Sequence, residues 1–60
     1  MIQTIIIDDE PSAVNVLRLL LQKKCKDDVE IIATSNSPLE GKTLIEEHKP
    51  DLVFMDICLP

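Results

Sequence analysis

Glycine is nearly absent from this 60-residue chain, with Gly41 standing alone. One glycine cannot build the Gly-rich loop with which dinucleotide-binding and P-loop folds cradle phosphates. Aromatics are as scarce: Phe54 is the only one, so any core is aliphatic. Basic residues are in the minority, six Lys and Arg against eleven Asp and Glu, for a net charge of −5. That is the wrong sign for a nucleic-acid face, which needs clustered Lys and Arg to displace counterions. No apolar run approaches the roughly 20 residues that span a bilayer, and no leader pattern opens the chain. A cytoplasmic protein without membrane contact is the expectation. The two cysteines, Cys25 and Cys58, lack metal-binding spacing; in a reducing compartment they stay thiols, and packing accounts for Cys58 between Ile57 and Leu59.

What is present is globular in texture, 45% hydrophobic, and short enough for one domain only. A domain of this size buries about 60% of the surface its unfolded chain exposes, which leaves little stability to spare. Two apolar runs, Thr4 to Ile7 and Leu52 to Met55, have the unbroken hydrophobicity of strands covered on both faces. After the first, Pro11 suits the opening turn of a helix that Asp9 or Glu10 can cap. Ala13, Leu17, Leu20 and Leu21 fall at helical spacing, with Val14, Val16 and Leu19 widening the stripe. Lys23, Lys24 and Lys26 suit the negative end of its dipole. Asp27-Asp28 turns the chain into a short edge strand, Val29 to Ala33, followed by a Thr34-Ser35-Asn36 loop. Ser37-Pro38-Leu39-Glu40 reads as a capping box opening a second helix. Leu39, Leu44 and Ile45, with Thr43 and His48, form its expected buried side, Gly41 permits close approach, and Pro50 stops it.

The most informative residues are the acidic ones that end the two apolar runs: the doublet Asp8-Asp9 after the first and Asp56 after the second. In an open parallel α/β sheet the carboxyl ends of neighbouring strands share one crevice, where such folds bind ligands. Three carboxylates gathered there raise one another's pKa and resist joint ionisation unless a cation intervenes. Hard oxygen donors without a His or Cys constellation favour Mg²⁺, which keeps waters for a phosphoryl oxygen. Right-handed crossovers place the first strand between the other two, in order 2-1-3.

The segments Ile5-Ile6-Ile7-Asp8-Asp9-Glu10-Pro11 and Pro50-Asp51-Leu52-Val53-Phe54-Met55-Asp56-Ile57-Cys58-Leu59-Pro60 resemble the receiver domains of two-component response regulators. The lengths between them fit as well, with one helix, one strand and a second helix intervening. The resemblance implies an α/β fold of truncated flavodoxin-like type, β-α-β-α-β, with residues 1–60 as the N-terminal half of a receiver, which runs to about twice this length. It implies that Asp56 accepts the phosphoryl group and that Asp9 binds Mg²⁺ directly. Asp8 would act mostly through metal-bound water, and the backbone carbonyl of Cys58 would complete the protein ligands. It also implies a sensor histidine kinase as donor, and an output domain or the second half of the receiver as partner. The Ser or Thr, the Lys and the switching aromatic of the later receiver strands have no counterpart here.

The Ile57-Cys58-Leu59-Pro60 ending is similar to receivers attached to LytTR-type DNA-binding outputs, so transcription regulation is the expected role of a parent protein. Two other readings stand beside this one. A phosphatase of the haloacid dehalogenase type also uses a strand-terminal Asp and Mg²⁺, but its second Asp would fall at Cys58. A non-catalytic interaction or dimerisation module that performs no phosphotransfer is the other. On the leading reading the chain is a signalling module and not an enzyme. Its third strand would present an uncovered apolar edge, which predicts a dimer or higher oligomer.

Overall fold

The computed structural model describes residues 1–56, the last of them by its backbone alone. Five elements follow one another: β1 (Ile2–Asp8), α1 (Pro11–Lys24), β2 (Val29–Ser35), α2 (Pro38–His48) and β3 (Leu52–Asp56). The strands form one parallel sheet in the order β2-β1-β3, as the crossover rule requires. Central β1 carries the core. Thr4, Ile5, Ile6 and Ile7 are all buried, and because successive side chains point to opposite faces, four in a row demand cover on both sides. The helices supply it: each packs on β1 and β2, and among the described residues neither brings its backbone close to β3.

Gly41 explains how closely α2 approaches. A Cβ built there would strike the side chain of Ile7, coming within 2.8 Å of Cγ1 as well as against Cδ1. Hydrogen at this position lets the helix axis settle onto the strand. The contact line then follows Gly41, Leu44 and Ile45, while Leu39, Thr43 and His48 are exposed. This corrects the expected buried side. Leu39 precedes Gly41 by two residues, about 200° around a helix of 3.6 residues per turn, and is 79% exposed.

On α1 the same geometry narrows the expected stripe. Val14 is buried and Leu17 and Leu21 are half-buried, whereas Val16, Leu19 and Leu20 are exposed. These three lie off the line that meets β1 and β2. The cap also differs from expectation. Glu10 is the N-cap residue but makes no side-chain cap hydrogen bond; its own N–H donates to Asp8 Oδ1 at 2.9 Å.

β2 is longer than expected, running through Thr34 and Ser35 instead of ending at Ala33. A bulge lies behind this. Thr4 pairs with Ile31 and Ile5 with Ala33, so Ile32 is an extra residue, and the shift carries Thr34 and Ser35 into register with Ile6 and Ile7. The buried Ser35 hydroxyl accepts from Ser37 N–H at 3.0 Å and donates to Ser37 O at 3.1 Å. Ser37 Oγ in turn accepts from Glu40 N–H at 3.4 Å. One half of the expected capping box is therefore present, and Ser35 takes the amide that Glu40 was expected to satisfy. At its other end α2 closes with Lys49 in the left-handed conformation, φ 48°, one residue ahead of the predicted stop at Pro50.

Candidate functional site at the carboxyl ends of β1 and β3

β1 and β3 pair without irregularity from Thr4↔Leu52 to Asp8↔Asp56. The last register pair brings two acidic residues opposite one another at the carboxyl ends of neighbouring parallel strands. In this sheet the chain leaves β1 toward β2 and returns across β1 to β3, so the β1/β3 junction is where the strand order reverses. Such a junction opens a crevice above the strand ends.

Asp8 is half-buried and Asp9 exposed. The hydrogen bond from Glu10 N–H fixes Asp8 Oδ1, so the turn leaving β1 is tied to the carboxylate that β1 delivers. The amide concerned belongs to the N-cap of α1, whose carbonyl accepts from Ala13 N–H at 3.0 Å and Val14 N–H at 3.3 Å. One short turn thus sets the direction of α1 and the orientation of Asp8, and presents Asp9 at the positive end of the helix dipole. Below Asp8, between α1 and β3, lies a cleft of about 240 Å³ walled by Ile6, Ala13, Leu17, Phe54 and Met55. Asp8 stands at the mouth of an apolar floor.

Of the four metal ligands expected from the sequence, Asp8 and Asp9 are placed side by side at this end of the sheet. Asp56 is placed by its backbone, opposite Asp8. Cys58 lies outside the described residues, and among the described residues no group of three or more His, Cys, Asp or Glu side chains forms a metal-holding cluster. The donors that are placed fit a hard divalent cation in kind, since they are carboxylate oxygens, and Asp8 keeps one oxygen free of the Glu10 amide. The Thr34-Ser35-Asn36 segment, by contrast, lines a separate cleft with Pro11, Val14 and Asn15. Ser35 serves the backbone of Ser37 there, the ordinary structural use of a hydroxyl at a strand end.

Sequence reasoning passed over Asp51 as a site-related residue. Its N–H donates to Gln3 O at 2.8 Å, and its Oδ2 accepts from Gln3 N–H at 3.0 Å. An acidic residue one position ahead of an apolar run marks a strand start, but only the pairing of β3 with β1 shows that the amide it serves is that of Gln3. No helix among the described residues is long and apolar enough to cross a membrane.

Comparison with known proteins places the chain in a family. The family model described as response regulator receiver domain matches residues 4–60. The transcriptional regulatory protein BtsR of Escherichia coli K12 is 38% identical over all 60 residues, and its Salmonella typhimurium counterpart is 40% identical over the same span. An uncharacterized response regulatory protein of Vibrio vulnificus is 38% identical, again over the whole chain. In each case the chain spans 24% of the relative's length. No solved structure matches the chain significantly.

Proposed function

The chain belongs to the response regulator receiver domain family, and from that premise we propose that it is the phosphoacceptor portion of a two-component signalling protein, with Asp56 as acceptor. The observation that carries this reading is the register pair Asp8↔Asp56 beside Asp9 at the β1/β3 crevice. The relatives are transcriptional regulatory and response regulatory proteins about four times as long. A DNA-binding output of LytTR type, in a cytoplasmic parent protein, extends the same reading; the segment itself signals and does not turn over a substrate.

The chemistry is a phosphoryl transfer between two nucleophiles. A carboxylate oxygen of Asp56 attacks the phosphorus of a kinase phosphohistidine, the P–N bond breaks, and the imidazole keeps the electron pair and takes up a proton. The product is an acyl phosphate. Mg²⁺, when bound, supplies positive charge to the phosphoryl oxygens as the transfer proceeds. Asp9 would hold it directly, Asp8 through water, and Asp56 and the Cys58 carbonyl would complete the protein share. Asp8, already anchored by the Glu10 amide, orients one oxygen toward the crevice.

Asp56→Asn in a protein containing this chain is expected to abolish the acid-stable, base-labile adduct formed with a small-molecule phosphodonor and Mg²⁺. Persistence of that adduct would refute the assignment. A second reading, an interaction module that performs no phosphotransfer, is favoured by one observation: among the described residues β3, apolar from Leu52 to Met55, pairs only with β1 and leaves its other edge open. Self-association of the 60-residue chain through that edge is the partner contact this reading proposes.

A further inference from the structure

We infer that Asp51 is a positioning residue that sets the register at which Asp56 meets Asp8. β3 lacks a pattern that would fix its register. Its sequence Leu52-Val53-Phe54-Met55 is apolar at every position, so sliding it by one residue exchanges one apolar set for another on each face. Alternation, which normally penalises a slip, gives no preference here. Helix packing gives little, because among the described residues neither α1 nor α2 brings its backbone close to β3, and α1 faces it only across the cleft at Phe54 and Met55. By contrast, β1 is held from both faces by its four buried residues.

Register on β3 therefore has to come from an end, and Asp51 supplies it. It takes both main-chain groups of Gln3, donating its N–H to the Gln3 carbonyl and accepting the Gln3 N–H on Oδ2. The two bonds fit one alignment, in which Leu52 falls opposite Thr4. Counting forward along both strands, Asp56 then falls opposite Asp8. A slip of one residue would set Asp56 against Ile7 or Asp9 and turn its side chain to the other face of the sheet. The clamp acts on the site from about 17 Å away, five residues of strand, without touching it. What the register serves rests on the function proposed above; the register itself does not.

The test deletes one hydrogen bond from either side. Asp51→Ala removes the acceptor, Gln3→Pro removes the donor near the start of β1, and Asp51→Asn keeps an acceptor oxygen. Cross-strand NOEs report register, and Mn²⁺ broadening at the Asp8 and Asp9 amides reports the site. Wild type and Asp51→Asn are expected to give one set of NOEs linking Thr4 with Leu52. Asp51→Ala and Gln3→Pro are expected to add a second, displaced set, and the half-saturating Mn²⁺ concentration should about double as the competent fraction halves. A single native set of NOEs in either deletion variant would overturn the inference. So would loss of folding in both, which would make the bond a general stabiliser. If wild type binds no Mn²⁺ while the NOE pattern behaves as expected, the metal reading fails and the register assignment stands.

Discussion

Residues in direct contact decide how the pocket is built. Ile7 fills the space that Gly41 leaves open, and Asp8 follows Ile7, so α2 is seated one residue from the acidic end of β1. Gly41→Ala should therefore destabilise the chain despite alanine's helix-propensity advantage of about 1 kcal/mol, because overpacking typically costs about 1–3 kcal/mol. Adding Ile7→Val removes the Cδ1 that stands in the way and should recover part of the loss, a coupling that a double-mutant cycle in urea would measure. Strictly additive effects would mean that the two residues do not share this space. Single residues were also where the sequence was least legible. Gly41 signalled a close approach, but nothing in one dimension said that this approach would rotate Leu39 out to solvent. Asp8, Asp9 and Asp56 could be read as a set because each ends an apolar run. Asp51 could not, because its role depends on which backbone group of β1 lies across from it.

At the scale of elements, all five were legible in order and type, since hydrophobic period, Pro11, Ser37-Pro38 and Pro50 punctuate the chain. Their ends were less so. β2 runs two residues past its expected end because the bulge at Ile32 keeps it paired with β1, and a bulge leaves no compositional mark when the residues around it are Ile and Ala. The start of α2 is consequently shared by two serines. Ser35→Ala removes two hydrogen bonds from a buried site, whereas Ser37→Ala removes one long one from an exposed site. The expected costs are about 1–2 kcal/mol for Ser35→Ala and about 0.5 kcal/mol for Ser37→Ala. Urea denaturation ranks them, and the reverse order would return the cap to Ser37 alone.

As a whole molecule, the chain has a well-covered centre and one uncovered flank. Order 2-1-3 was expected from the sequence and is observed, and it locates the acidic crevice at the β1/β3 junction. On the uncovered side, Met55 is 49% exposed and Val16 and Leu20 of α1 stand clear of the sheet. An apolar edge of this kind pairs with another strand when one is available. Val53→Lys should accordingly shift sedimentation toward monomer or unfolded chain, while an unchanged folded oligomer would place the contact elsewhere. The site proposed at the carboxyl ends of β1 and β3 is a cation site for phosphoryl transfer. The most direct test is an amide NMR titration of the chain with Mn²⁺ under Mg²⁺ competition, since this requires no residue beyond the 60. Selective broadening at Asp8, Asp9 and Asp56, reversed by Mg²⁺, is the predicted result; a folded sample with no selective broadening at those three amides would contradict it.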